Sequence, residues 1–124
     1  MMTHDENGDK FEVKDSGARA SLGGGMVRDT EEGKVDYTLI MDGPMYDRWA
    51  VHLTRGAIKY AKRNWMQIAA ATPEEQVAAL ERFERSAARH LRQYLAGHRD
   101  EDHAAAVFFN LNGAEYVRDL LGLL

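Results

Sequence analysis

The sequence predicts an all-α fold of three principal helices. Two observations carry that prediction: three stretches repeat apolar residues at helical spacing, and helix-end signals bracket them. The stripes are Met45, Trp49, Leu53, Gly56 and Tyr60, with Ala57 beside them; then Val77, Leu80, Phe83, Ala87, Leu91 and Tyr94; then His103, Val107, Asn110, Ala114, Val117 and Leu121. The turn between the last two stretches is short and polar, so those helices are expected to pack antiparallel. Three helices of this length enclose a small core, so the bundle is expected to be completed by a second copy, as a homodimer or higher homo-oligomer.

Residues 1–26 read as a flexible, irregular N-terminal tail, and residues 27–124 as a single helical domain. The tail is polar, carries Gly23-Gly24-Gly25 and has neither hydrophobic period; Phe11 and Val13 allow one short strand at most. Residues 27–41 read as a loop anchored by Tyr37, Leu39 and Ile40, lying across the bundle as an extended segment or lid. The first helix is expected over residues 44–61, with Pro44 in its first turn and Asn64 as a terminating residue. Gly56 inside it costs about 1 kcal/mol relative to alanine and suggests close approach of another helix or a ligand. Residues 66–71 read as a linker or a frayed turn. Thr72-Pro73-Glu74-Glu75 is a capping box with a first-turn proline, opening a helix over 73–96 that Gly97 stops. Asp100 or Asp102 caps the last helix, which runs to about residue 121.

Composition narrows the function. The 124 residues contain no cysteine, which excludes disulfides, thiolate catalysis and zinc–cysteine sites. No apolar run reaches membrane-spanning length, and no leader-like segment precedes the domain, so a soluble cytoplasmic protein is expected. A formal charge of -4 disfavours binding to duplex nucleic acid. There is no G-x-x-x-x-G-K-[ST] loop and no H-E-x-x-H pattern, which argues against a P-loop nucleotidase and a standard zinc hydrolase.

The candidate chemistry comes from polar residues on the apolar stripes. Glu84 and His90 fall on or beside the second stripe, and His103 and Asn110 are members of the third. Buried polar groups are costly unless partnered, so facing helices that both carry them suggest a shared polar site; ordinary hydrogen-bonded core residues are the plain alternative. Glu84, His90 and His103 are the candidate catalytic groups. Glu81 and Glu84 form an E-x-x-E pair that can converge on Mg²⁺, and the Asp100-Glu101-Asp102-His103 run offers further ligands, Asp100 and Asp102 foremost. Capping of the last helix is the competing use of those acids. Mg²⁺ on carboxylates is the usual way to hold a di- or triphosphate. Lys34, Lys59 and Arg89 are candidate phosphate partners, and Asn64, Trp65 and Asn110 further substrate-binding candidates, with packing an equal account of Asn64 and Trp65.

The ordered set Arg28, Gly33-Lys34, Leu39-Ile40, then Gly56-Ala57-x-Lys59-Tyr60, Asn64-Trp65, then Phe83, Ser86-Ala87, Arg89-His90-Leu91, then Gly97, Asp100, His103 and Asn110 resembles the phage dATP/dGTP diphosphohydrolase N-terminal-domain family, which is MazG-like. The resemblance covers residues 28–121. It implies a helical, Mg²⁺-dependent nucleotide pyrophosphohydrolase that cleaves a (deoxy)nucleoside triphosphate to the monophosphate and pyrophosphate. MazG-like enzymes carry E-x-x-E and then E-x-x-D on a following helix. Glu81 and Glu84 match the first element. The second is not present as such, because no acid stands three residues after Glu101. A noncatalytic nucleotide- or partner-binding protein that keeps the fold, and a small phage interaction protein, are the alternative readings.

Overall fold

The computed structural model describes residues 13–124 and, before them, the backbone of Thr3–His4 and Lys10–Phe11. The chain divides into two compact units, Met1–Asp36 and Tyr37–Leu124.

The first unit is built from two antiparallel pairings. β1 (Thr3–His4) pairs with β2 (Lys10–Phe11), and β3 (Arg19–Gly23) pairs with β4 (Met26–Asp29). The second hairpin is one that the glycine-rich composition conceals. Gly23, Gly24 and Gly25 have φ of 93°, 57° and 80°. That left-handed backbone costs glycine nothing and other residues a good deal, so the triplet supplies a turn instead of slack. The guanidinium of Arg19 closes the hairpin, donating to Asp15 at 2.6 Å and to Asp29 at 2.7 Å. The hairpin straddles the expected 26/27 boundary, and the fold is mainly helical with small hairpins rather than all-α. Of the proposed strand residues, Phe11 lies in β2 and Val13 in no strand.

The second unit is helical. Tyr37–Met41 forms a 3-10 turn beside α1 (Met45–Lys59), in place of the expected extended segment. Its apolar side chains remain exposed. α1 ends at Lys59 with Tyr60 as its C-cap, ahead of Asn64; Arg63 takes φ 58°, and Asn64 opens a 3-10 helix, Asn64–Ala70, where a linker or frayed turn was expected. α2 (Pro73–Leu95) begins with the capping box, Glu75 N donating to Thr72 Oγ1 at 3.2 Å and Thr72 N to Glu75 Oε1 at 2.9 Å. α3 (His103–Leu120) is the axis on which both α1 and α2 pack.

The core is a seam between α2 and α3. Leu80, Ala114 and Val117 are buried together, with Ile68, Phe83 and Leu121 against them. The third stripe is confirmed: His103, Asn110, Ala114 and Val117 are all buried. The second is only partly inward, since Val77 and Leu91 are 44% and 46% exposed. The close helix approach occurs at Gly113, where an added Cβ would stand 2.5 Å from Phe83 Cε1. Gly56, which was expected to mark such an approach, has open space beside it.

Candidate functional site at the turn between α2 and α3

α2 stops because Gly97 adopts φ 84°, letting Gly97 N donate to Tyr94 O and His98 N to Gln93 O, both at 3.0 Å. Five residues later Asp102 caps α3, its Oδ1 accepting from Ala105 N at 3.1 Å. The same carboxylate takes two bonds from Arg48 on α1, Nε to Oδ2 at 2.9 Å and Nη2 to Oδ1 at 2.5 Å. This fork-to-fork pair ties α1 to the start of α3. Chiefly through it, the Asp102 carboxyl is held down to about 2.

Next to this clamp lies a line of three side chains. His103, 2% exposed, places Nε2 2.9 Å from Asp100 Oδ1 and Nδ1 2.9 Å from Nδ1 of His90 on α2. The two imidazole rings are 5.2 Å apart between centroids. The hydrogen bond from His103 is the main cause that holds the Asp100 carboxyl below its usual range. Burial pushes His90 below the ordinary imidazole value, and does the same to His52, whose ring leans on Phe109 at 5.6 Å.

Among the described residues, Asp100, Glu101 and His103 are the acids and imidazoles that bring three ligand atoms within 4.8 Å of one another. Both nitrogens of His103 already have partners, so the available ligands there are carboxylate oxygens: those of Glu101 and the second oxygen of Asp100. Mg²⁺ takes hard oxygen ligands and commonly uses only one or two carboxylates, completing its shell with water and phosphate. The pair fits that ion. The hydrogen bond to His103 orients the Asp100 carboxylate, as outer partners of metal ligands do.

The other predicted residues are distributed elsewhere. Asp102 is occupied by Arg48 and the cap. Glu84 is not buried on the stripe: its side chain is 49% exposed and accepts from Arg118 Nη2 at 3.3 Å. Glu81 faces Arg85 at 3.9 Å. Glu84 lies six residues before His90, about 9 Å of axial rise, so the E-x-x-E pair and the turn carboxylates form separate groups. Asn110 is buried with its amide donating to Ala106 O at 2.8 Å. Trp65 is a packing anchor, edge-on to Phe109 and Tyr116 with centroids 6.1 and 5.1 Å apart. Asn64 is exposed, Lys59 lies over the Tyr60 ring at 5.0 Å, and Arg89 reaches Ser86 Oγ at 3.4 Å. Lys34 belongs to the first unit, in a cleft of about 800 Å³ with Arg28, Asp29 and Glu31.

Sequence reasoning missed Arg48 and gave Glu101 too little weight. The available signal for Arg48 was its position four residues before His52, which puts both on one face of α1.

Residues 25–116 match the family model described as dATP/dGTP diphosphohydrolase, N-terminal. The chain belongs to that family. No curated protein and no solved structure matches it. The matched span of this dATP/dGTP diphosphohydrolase-family chain includes β4, α1, α2 and the whole of the turn with Asp100, Glu101 and His103. Among the described residues, no helix is long and apolar enough to cross a membrane.

Proposed function

We propose that the protein is a Mg²⁺-dependent (deoxy)nucleoside triphosphate pyrophosphohydrolase, releasing the monophosphate and pyrophosphate, in phage nucleotide metabolism. The observation that carries this reading is the coincidence of a diphosphohydrolase family match with a carboxylate–imidazole group at one helix turn. Asp100 and Glu101 would hold the ion, which supplies Lewis acidity and a bridge to phosphate oxygens. Arg48 keeps the turn in place through Asp102. His90 and His103 contribute nitrogen atoms beside the carboxylates. The exposed cations Lys59 and Arg89 are the candidates in the helical unit for neutralising phosphate charge.

A second copy of the chain is the proposed protein partner. Its support is the apolar surface of the helical unit: Ile58, Leu95 and Leu39 are 83%, 74% and 65% exposed. A second copy that covered these side chains would remove their apolar surface from water.

Pyrophosphate release from dATP, dGTP, dCTP and dTTP, with Mg²⁺ and with chelator, tests the activity. Turnover of at least one nucleotide that requires Mg²⁺ supports the reading. No turnover, together with a nucleotide-induced rise in melting temperature, favours the noncatalytic nucleotide-binding alternative.

A further inference from the structure

A carboxylate can only accept hydrogen bonds, so the Nε2 atom of His103, 2.9 Å from Asp100, carries the proton of that contact. The contact between the two Nδ1 atoms, 2.9 Å apart, holds one proton and no more. In the form with both rings neutral, each carries a single proton. His103 has already placed its proton toward Asp100. The proton between the rings therefore belongs to His90, which donates from Nδ1 to the bare Nδ1 of His103. His90 then has no proton left for Nε2. Burial, which lowers the basicity of His90, works in the same direction by favouring the neutral ring.

We propose that Asp100 and His103 are positioning residues that set the tautomer of His90, leaving its Nε2 lone pair as the acceptor for the water that attacks the nucleotide. This rests on the hydrolase reading above. In the step, the water oxygen forms the new bond to the α-phosphorus and its proton passes to His90 Nε2. The bond from that phosphorus to the α–β bridging oxygen breaks, and its electron pair leaves with pyrophosphate. A histidine held in the opposite tautomer presents a donor to that water and cannot take the proton. Burial of His103 serves the same end: with 2% of its surface exposed, no water competes for its two nitrogens, and the direction of the hydrogen-bond line is set by Asp100 alone.

The test is long-range ¹H–¹⁵N correlation spectroscopy of the imidazoles at pH 8 without metal. The wild-type protein is expected to show His90 protonated at Nδ1 and bare at Nε2. Asp100→Ala lies in the exposed turn and leaves the helices their packing. It frees His103 to turn its proton toward His90, so the His90 proton is expected to move to Nε2. His103→Phe removes the acceptor and is expected to give the same shift, with Asp100→Ala as the safeguard if that buried change prevents folding. Wild-type His90 protonated at Nε2, or a tautomer unmoved in Asp100→Ala, overturns the proposal. In turnover, His90→Gln is expected to lower kcat by about a hundredfold with KM within about twofold, the loss typical of a missing general base. A loss confined to KM overturns the role given to Nε2. If the tautomer is as expected and the wild type turns over no nucleotide, the hydrolase reading fails and the tautomer assignment stands.

Discussion

Glu84 and Asp102 are both acids with an arginine partner, and the difference between them decides which one matters to the fold. Glu84 makes one 3.3 Å contact to Arg118 from a half-exposed position, the kind of pair that water and salt weaken. Glu84→Gln is expected to change stability by less than about 0.5 kcal/mol. Asp102 takes two bonds from Arg48 and caps α3 as well. Asp102→Asn keeps a capping side chain but loses the forked pair, so its melting temperature is expected to fall well below that of Glu84→Gln. The pH dependence has a definite sign. The folded Asp102 carboxyl sits at about 2, against roughly 3.9 for an unperturbed aspartate. Its contribution is therefore complete above about pH 4 and is lost as pH falls toward 2. Thermal melts of the wild type and Asp102→Asn across that window are expected to converge at the acid end. Gly113 is the other decisive single position. A Cβ there meets the Phe83 ring at 2.5–2.8 Å, so Gly113→Ala is expected to cost about 1–3 kcal/mol by overpacking.

At the scale of elements, the helices with strong end signals were legible in the sequence. The Thr72–Glu75 capping box and Gly97 bracket α2 as their chemistry requires, and Thr72→Ala is expected to cost about 1 kcal/mol in chemical denaturation. The third stripe was legible because α3 is the axis of the helical unit and both other helices cover it. The second was misread at Glu84 for a related reason. α2 packs with one narrow seam centred on Leu80, Phe83 and Ala87, and residues one position beyond it are already in water. The β3–β4 hairpin was hidden because Gly23-Gly24-Gly25 has the composition of a flexible linker, whereas its positive φ angles form a turn. The 3-10 helix Asn64–Ala70 has too few residues to reveal a period. Of the Asp100–His103–His90 line, the two histidines were legible as polar residues on facing stripes and Asp100 as an acid of the turn. Its direction was not, because that depends on which nitrogens meet.

Among the described residues, the helical unit buries little apolar surface for the number of apolar side chains it carries. The helical unit has Leu80, Ala87, Ala105, Ala106, Ala114 and Val117 as its buried hydrophobics, while Ile58, Tyr60 and Leu95 remain largely exposed. Light scattering at micromolar concentration is expected to give twice the chain mass, with melting temperature falling on dilution. A monomer whose stability is independent of concentration counts against the second copy.

The proposed hydrolase requires the ion and the phosphates to meet the protein at the turn between α2 and α3. The most direct measurement is a crystal grown with a nonhydrolysable dATP or dGTP analogue and Mn²⁺ in place of Mg²⁺, with the ion located by its anomalous signal. The ion is expected to be bound directly by carboxylate oxygens of Asp100 and Glu101, with His90 Nε2 facing the α-phosphate. An ion held by Glu81 and Glu84, or nucleotide phosphates bound away from this turn, contradicts it.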